Sequence, residues 1–307
     1  MDLLRLTEKE LEGVNSDFNN LNLIKERESD LEDKTKKEET NEETNLEKQN
    51  NNEEKKIETK PDTDPPYPVL LIFSDFGKVD KKTIKTYQML KELYVQKGYA
   101  VFHYENDTFK FSKPTKKDDF NYNDLVNNAI NYIEKISINP NYQGIHILGE
   151  NQGALLSLAA VKKSKMNIES FILIDPPTTP ASKIILNQLS GLQNDLFAET
   201  RYIVNSLENG EKVQNVSSEL ETFFSPKIQP FLISWFNYEP LKLIKNNKKP
   251  ILIIEKNSKR MPDSIIKRNN INYLLVENKI FNKEEKTKSI FLNDKFQEKI
   301  ENFINDL

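Results

Sequence analysis

Residues 145–160 read Ile145-His146-Ile147-Leu148-Gly149-Glu150-Asn151-Gln152-Gly153-Ala154-Leu155-Leu156-Ser157-Leu158-Ala159-Ala160. A short apolar run ends in the pattern Gly-x-x-x-Gly, and small and apolar residues follow at once. This order predicts a buried strand, a sharp turn and a helix. The two glycines allow the strand and helix backbones to approach closely around the central residue of the turn, which is Asn151.

Further strand and helix patterns alternate on both sides of this unit. Apolar runs predict strands at 69–73, 99–104, 171–175, 251–254 and 273–276. Helical patterns predict helices at about 81–97, 122–137, 262–268 and 289–305, the last of which is expected to bury Ile290, Phe291, Phe296, Ile300 and Phe303. The alternation predicts an α/β fold with a mostly parallel central sheet flanked by helices.

The alternation breaks between about 181 and 247. This segment shows several helical patterns in succession and no strand pattern. An insertion after the central strands, above their C-terminal ends, is expected to form a helical lid over a pocket. The only tryptophan, Trp235, lies in this segment, where it is expected either to line the pocket mouth or to pack the lid on the body.

The first 64 residues differ in composition from the rest of the chain. Residues from about 26 to 64 are almost entirely Glu, Lys, Asn, Asp and Thr. Such a segment buries too little apolar area to offset its ordering entropy, so residues 1–64 are predicted to form a disordered charged tail and 65–307 a single domain. Scattered leucines before residue 25 are compatible with a short amphipathic helix, and the tail is a candidate contact for a partner.

The composition argues against several classes of function. The chain has no cysteine and only two histidines, so disulfides and thiolate metal sites are excluded and no metal or other cofactor is expected. Both histidines, His103 and His146, fall in predicted strands, where structural roles are expected. The net charge of −4 gives no reason to expect nucleic-acid binding. No signal peptide and no transmembrane span is visible, so a cytoplasmic location is expected.

Residues 66–307 resemble an α/β-hydrolase, and more narrowly the lidded bacterial enzymes grouped with serine aminopeptidase-like and esterase-like proteins. Three stretches carry the resemblance: the turn from Gly149 to Gly153, the helical segment, and Lys-Pro-Ile-Leu-Ile-Ile at 249–254. In the helical segment the similar sequences are 182–189 and, more specifically, Ile-Gln-Pro-Phe-Leu-Ile-Ser-Trp-Phe-Asn-Tyr-Glu-Pro at 228–240. The stretch at 249–254 is similar to the strand that precedes the catalytic acid.

The catalytic positions implied by this resemblance hold unusual residues. Such enzymes use Ser, Asp and His, in that chain order. Here the nucleophile position holds Asn151, whose amide is a very poor nucleophile, the acid position holds Lys259, and the base position holds Lys279. The combined loss predicts a degenerate, inactive triad. Glu255 and Asp263 lie near enough in sequence to substitute for the acid.

The region expected to face the substrate also departs from the family pattern. The turn after the first strand of the domain is Ser74-Asp75-Phe76-Gly77, where the family has a Gly-rich turn whose N–H groups face the developing oxyanion. A carboxylate there would oppose negative charge on a reacting oxygen. Glu150 occupies a position where His is common. The pocket and oxyanion region is predicted to contain Ser74, Asp75, Phe76, Gln152 and Trp235.

Two functions remain open at this point. The first is a pseudoenzyme that keeps the fold and the lidded pocket and binds a small-molecule or protein ligand. The second is an active esterase- or peptidase-like hydrolase with a rearranged nucleophile, Ser74, Ser157 or Ser258, and a lysine base, Lys279 or Lys259. Turnover of substrate or reaction with a serine-directed probe separates the two.

Overall fold

One sheet organises the part of the chain that the computed structural model describes, residues 58–75, 81–104, 120–164, 166–256, 258–276 and 294–307. Its strands are β1 Glu58–Thr59, β2 Tyr67–Phe73, β3 Ala100–Tyr104, β4 Tyr142–Glu150, β5 Ser170–Ile174, β6 Ile251–Lys256 and β7 Ile271–Val276. They lie in the order β1-β3-β2-β4-β5-β6-β7. Strand β1 is antiparallel to β3 and the other neighbours are parallel, which confirms the predicted mostly parallel sheet.

Helices connect the strands as the alternation predicts. They are α1 Lys81–Gln96, α2 Tyr122–Ser137, α3 Gln152–Ser164, α4 Ala181–Gln188, α5 Asn194–Glu208, α6 Glu221–Phe224, α7 Gln229–Phe236, α8 Pro240–Asn246, α9 Asp263–Ile266 and α10 Asp294–Asn305, with a short 3-10 helix at Leu189–Gly191. The last helix is described from residue 294, so the predicted contributions of Ile290 and Phe291 lie outside the described residues.

The two faces of the sheet bury different sets of helices because successive side chains of a strand point to opposite faces. On β2, Leu71 and Phe73 join one apolar cluster with α2, α3 and the 181–247 helices. Leu70 and Ile72 join a second cluster with α1 and α10. All four side chains are at most 1% exposed, so β2 is covered on both faces. This explains why its sequence is a continuous apolar run rather than an alternating one.

Helix α2 begins with a capping arrangement that fixes it beside the 181–247 segment. The Asn121 side chain accepts from the backbone N–H of Asn123, and the Asp124 carboxylate accepts from the backbone N–H of Asn121 at 3.0 Å. Such reciprocal capping satisfies N–H groups that have no partner within the helix. The backbone N–H of Tyr122 donates to Ser234 Oγ of α7 at 2.7 Å. The start of α2 is therefore bonded directly to the inserted segment.

The 181–247 segment contains helices and no strand, as predicted, and every residue in it is described. The fully buried Gln229 connects two of its parts. Its Oε1 accepts from the N–H of Val213 at 2.8 Å, and its Nε2 donates to the carbonyls of Val213 and Phe224 at 2.7 and 2.8 Å. Helix α7 contacts α2 and α5, and α8 contacts α3. The segment is packed on the body through buried polar as well as apolar contacts.

The described chain begins before the predicted domain boundary. Residues 1–57 of the predicted tail lie outside the described residues, but Glu58 and Thr59 pair with Phe102 and Val101 of β3. The backbone of 58–59 therefore belongs to the sheet, although it falls in a segment predicted to be disordered. Among the described helices, none has the length and apolar character needed to cross a membrane.

Candidate functional site

The turn between β4 and α3 lies where the sheet order reverses. From the central strand β2 the chain moves to β3 on one side and then to β4 on the other. Ligands of open α/β sheets bind outside the carboxyl ends of the strands at such a point. The last residue of β2, Phe73, is the register partner of Gly149 in β4. The loop after β2 and the turn after β4 therefore leave the sheet side by side.

Asn151 has a left-handed backbone conformation, with φ of 48°. Its N–H donates to the carbonyl of Ile174 at 2.9 Å, and its own carbonyl accepts from Ala154 at 3.0 Å as α3 begins. Asn151 is thus bonded to the end of β5 through its N–H and to the first turn of α3 through its carbonyl. Asn adopts this conformation more readily than most non-glycine residues, so the substitution suits the backbone of a sharp turn.

The two glycines of the turn are required by contact rather than by φ. A Cβ at Gly149 would lie 2.6 Å from Ala154 Cα. A Cβ at Gly153 would lie 2.4 Å from the carbonyl oxygens of Phe73 and Ser74. Both distances are far below van der Waals contact. The glycine pattern in the sequence therefore marks the close approach of α3 to β4 and β2.

A carboxylate from the loop after β2 bonds to the turn. Asp75 Oδ2 accepts from Asn151 Nδ2 at 3.0 Å, and Asp75 Oδ1 accepts from the backbone N–H of Gln152 at 3.2 Å. In a nucleophile elbow, the N–H of the residue after the nucleophile stabilises the oxyanion. Here the residue after the nucleophile position is Gln152. Its N–H donates to the carboxylate of Asp75, so the negative oxygen at this donor belongs to the protein itself.

The same contact fixes the orientation of the Asn151 amide, because only its NH2 group can donate to the carboxylate. Its carbonyl oxygen then faces elsewhere. Asn151 and Gln152 are 7% and 4% exposed, and no donor among the described residues bonds Asn151 Oδ1 or Gln152 Oε1. The turn therefore contains two buried acceptor oxygens to which no described residue donates. Buried side-chain oxygens in folded proteins nearly always accept a hydrogen bond from a protein group or an ordered water.

A network of charged side chains lies at the ends of β4, β5 and β6; we call it the strand-end network and define it as Glu150, Asp175, Glu255, Lys256 and Arg260. Lys256 Nζ lies 3.2 Å from Glu150 Oε1 and 3.0 Å from Asp175 Oδ2. Arg260 Nη2 lies 3.0 Å from Asp175 Oδ1, and Arg260 Nε lies 3.7 Å from Glu255 Oε1. The network joins three neighbouring strands.

The network and the turn are linked through Tyr87 of α1. Its hydroxyl donates to Glu150 Oε2 at 2.6 Å and makes a hydrogen bond with the backbone of Asp75. Burial and the negative charges of Glu150 and Asp75 raise the pKa of Tyr87 well above its ordinary value. Burial opposes the charge on Lys256, but Glu150 and Asp175 outweigh it and raise the pKa of that ammonium. Lys256 is therefore a fixed cation and cannot serve as a neutral base near pH 7.

Asp175 was not recognised from the sequence. It directly follows β5 and also has a left-handed backbone, with φ of 46°. Its Oδ1 accepts from the backbone N–H of Lys256 at 2.8 Å. The sequence did contain a signal for Asp175. This carboxylate follows the apolar run of β5 and comes immediately before Pro176-Pro177. Acidic residues at that edge of a parallel sheet are candidates for the site.

The candidate substitute acids have other partners. Glu255 is fully buried and accepts from the N–H groups of Arg260 and Met261 at 2.8 and 3.1 Å, and from the Tyr273 hydroxyl at 2.7 Å. Asp263 pairs with Lys259, four residues earlier in the loop before α9, and both side chains are exposed. Lys259, predicted at the acid position, therefore lies on the surface. Glu255 holds the 258–261 loop on β6 and β7.

The three candidate serines of the rearranged-nucleophile alternative occupy different environments in the described structure. Ser157 is fully buried within α3 and donates to the carbonyl of Ala154 at 2.9 Å. Ser258 is exposed, and Ser74 is buried at the end of β2. Lys279, predicted at the base position, and Phe76, predicted in the oxyanion region, lie outside the described residues.

Trp235 and the histidines occupy structural positions. The Trp235 ring lies 6.3 Å from that of Tyr122 and 5.7 Å from that of Phe231, which packs α7 on α2. His103 is buried in β3 beside the Tyr87 ring, at a centroid separation of 4.8 Å. His146 is buried in β4, with Nδ1 2.8 Å from Ser170 Oγ. Among the described residues, no group of three or more His, Asp or Glu side chains is arranged to hold a metal ion.

No family model and no curated protein matches the chain. Solved structures resemble it at low sequence identity. The structure of DcsB in complex with its substrate analogue is 13% identical, with 81% of this chain and 92% of that chain covered and a TM-score of 0.51. Est1E from Butyrivibrio proteoclasticus is 12% identical, with 81% and 90% covered and a TM-score of 0.48. Bromoperoxidase from Bacillus anthracis is 14% identical, with 81% and 95% covered and a TM-score of 0.46.

At such identities a likeness concerns the fold and not the activity. The class of fold predicted from the sequence is nevertheless confirmed. Its parts are a parallel six-stranded core with one antiparallel edge strand, helices on both faces, and a Gly-x-x-x-Gly turn after β4. This chain therefore has the α/β-hydrolase fold.

Proposed function

We propose that this chain is a ligand- or partner-binding protein built on the α/β-hydrolase fold, without hydrolase activity. The observation that carries the proposal is the bond from the Gln152 N–H to the Asp75 carboxylate. Hydrolysis of an ester or amide needs this donor for the oxyanion that develops in the transition state. A second negative oxygen at the same donor would be repelled by Asp75, so the arrangement opposes catalysis even if a nucleophile were supplied.

The nucleophile position supports the same conclusion. Asn151 offers an amide whose nitrogen is delocalised and already donates to Asp75. The site therefore lacks a serine nucleophile, and the Gln152 N–H that would stabilise the oxyanion is already bonded to Asp75. Two catalytic elements are changed rather than one. The proposed binding site lies at the C-terminal edge of the sheet around the turn after β4, and the 181–247 helices are proposed to cover it as a lid.

The experiment compares hydrolysis and covalent labelling. Full-length protein is incubated with short-chain p-nitrophenyl esters and, separately, with a fluorophosphonate probe. We expect neither turnover nor labelling above the buffer rate. Reproducible turnover by the purified chain, with a labelled serine mapped by mass spectrometry, would refute the proposal and support the active-hydrolase alternative.

Three matched variants locate any activity that is found. Ser74→Ala, Ser157→Ala and Ser258→Ala each remove one candidate nucleophile with a small change in volume. Loss of both turnover and label in one of them identifies that serine. Activity that persists unchanged in all three, with no labelled peptide from this chain, belongs to a contaminating hydrolase and leaves the inactive protein as the result.

A further inference from the structure

We propose that a basic patch at the N-terminal edge of the sheet is the docking surface for an acidic segment of the same chain, residues 38–47, which lies outside the described residues. The patch is defined as Lys162, Lys163, Lys245, Lys248 and Lys249. It lies at the edge opposite the candidate site, because α3 begins at the turn after β4 and runs back to the start of the parallel strand β5. The inference therefore goes beyond the proposed function and does not depend on it.

The fold brings two lysine-rich segments side by side. Residues 161–169 and 240–250 contain seven lysines and one acidic residue, Glu169. The two segments immediately precede β5 and β6, which pair with each other from near their starts. Helices α3 and α8 are in contact, and Lys249 Nζ donates to Asn167 Oδ1 at 2.7 Å. Lysines from both segments therefore share one surface.

The positive charge of the patch is accessible. Four of its five lysines are exposed, and Lys249 is half-buried. Two of them donate to side-chain amides: Lys163 Nζ to Asn127 Oδ1 at 2.9 Å, and Lys249 Nζ to Asn167 Oδ1. Both acceptors are neutral, so these hydrogen bonds orient the ammonium groups without neutralising them.

Helix ends and flanking acids account for only part of this charge. Three of the lysines occupy the last turns of α3 and α8, where the helix dipole favours a cation. The other two follow α8, beyond its last turn. The acids that flank the patch in sequence are Glu169 and Glu239, and Glu239 pairs with Lys242 at 3.5 Å. The patch therefore keeps an excess of positive charge, which an acidic partner would neutralise.

The chain itself contains a segment of the opposite charge. Residues 38–47 read Glu-Glu-Thr-Asn-Glu-Glu-Thr-Asn-Leu-Glu, with five carboxylates and no basic residue. The whole of 1–57 contains 17 acidic and 10 basic residues, whereas 58–307 contain 31 acidic and 34 basic residues. An acidic part of the chain is thus joined to a slightly basic one. Opposite charges favour contact between the two, and five carboxylates match five lysines in number.

The acidic segment is long enough and close enough to reach the patch. It is joined to the body at β1, where Glu58 pairs with Phe102 of β3. Five strand spacings, about 24 Å, separate β1 from β6, and a shift of up to about 17 Å along the strands gives a direct span of about 30 Å. The eleven residues from Glu47 to Glu58 extend to about 36 Å. The carboxylates farther from β1 have more chain available.

The covalent connection selects this occupant over a separate one. Exposed ion pairs are individually weak and are screened by salt, so a free acidic peptide would bind the patch poorly. A segment attached to the same chain acts at an effective concentration in the millimolar range. An anionic lipid surface would be repelled by the acidic region that the chain brings with it.

The test uses paramagnetic relaxation in the full chain. Because the sequence has no cysteine, Thr44→Cys provides one site for a nitroxide label and leaves the five carboxylates unchanged. Isotope-labelled, spin-labelled chain is diluted into excess unlabelled wild type, so that only contacts within one chain broaden its amide signals. At about 20 mM salt we expect the signals of 162–164 and 245–249 to lose at least about half of their intensity, and at about 0.5 M salt to recover it. Full intensity at low salt would overturn the proposal.

A pair of matched variants of the spin-labelled chain tests the patch. Lys245→Gln/Lys248→Gln removes two exposed charges from it, and Lys183→Gln/Lys227→Gln removes two exposed charges elsewhere. We expect the first pair to reduce the broadening at 162–164 at least about twofold and the second to leave it unchanged. Equal broadening in both would refute the role of the patch.

Two further outcomes would overturn the choice of occupant. Broadening that appears only when spin-labelled chain is mixed with isotope-labelled chain lacking the label would show that the acidic segment binds a second copy. Co-sedimentation of the full chain with phosphatidylserine vesicles, abolished in Lys245→Gln/Lys248→Gln and accompanied by no broadening at the patch, would show that an anionic lipid surface is the partner.

Discussion

Glu255 is predicted to hold the loop after β6, and its replacement tests whether this carboxylate is structural rather than catalytic. Glu255→Ala removes the acceptor of two backbone N–H groups and of the Tyr273 hydroxyl, and it leaves Arg260 without one of its carboxylates. Three lost hydrogen bonds at about 0.5–1.5 kcal/mol each give about 1.5–4.5 kcal/mol. Removal of one partner from a buried ion pair has a similar measured cost of about 3–5 kcal/mol.

We therefore expect Glu255→Ala to lower the free energy of unfolding by about 4 kcal/mol. Glu255→Gln keeps one acceptor oxygen and should cost about 1–2 kcal/mol. The measurement is urea unfolding followed by far-UV circular dichroism, with the slope of the transition compared among variants. Glu208→Gln, at an exposed acid near the end of α5, is the control and should stay within about 0.5 kcal/mol of the wild type.

A loss below about 1 kcal/mol for Glu255→Ala would refute the reasoning, because it falls within the range of a single ordinary hydrogen bond. It would mean that water or neighbouring groups satisfy the three donors as well as the carboxylate does. Glu255 would then again be a candidate for the catalytic acid rather than a structural residue.

Three further predictions concern the turn after β4, the 181–247 segment and the buried His146. Gly153→Ala should lower the free energy of unfolding in urea by about 3 kcal/mol, because the added Cβ would meet backbone oxygens. Gly191→Ala is the control and should leave the free energy of unfolding unchanged, because a Cβ there meets nothing within 4 Å. Equal effects of the two variants would contradict the contact argument. Gln229→Leu removes three buried hydrogen bonds and should cost about 3 kcal/mol; an unchanged stability would show that the bonds contribute nothing net. Burial lowers the pKa of His146 below its ordinary 6.5. The unfolded chain then binds protons that the folded chain resists, so stability should be complete above about pH 7.5 and fall as the pH drops below about 6.5, and His146→Asn should flatten that fall; a wild-type curve already flat there would contradict it.

Much of the fold was predictable because it depends on local patterns. The continuous apolar run of β2 indicates a strand covered on both faces, and the structure buries Leu70 and Leu71 in opposite clusters. The spacing of Gly149 and Gly153 indicates a close approach of backbones, and the distances at both glycines explain it. Each of these signals lies within a short stretch of sequence, so the element can be predicted even though the contacts that explain it, such as those of Gly153 with Phe73 and Ser74, are distant along the chain.

The contacts of the site were less predictable because they join distant parts of the chain. Asp75 was expected near the oxyanion position, but its bond to the Gln152 N–H depends on the register of β2 against β4. Asp175 was missed because its partners, Lys256 and Arg260, lie more than 80 residues away and come together only when β5 and β6 pair. No pattern along the sequence specifies which cation faces which carboxylate.

These contacts explain how the turn can persist without a nucleophile. In a hydrolase, the residue at the turn is strained and its neighbouring N–H must remain available for substrate. Here the central residue is Asn151, which tolerates the left-handed backbone better than Ser, and Asp75 satisfies both its NH2 and the N–H of Gln152. Both contacts stabilise the turn as it stands, and the proposed loss of hydrolysis follows from the same two contacts.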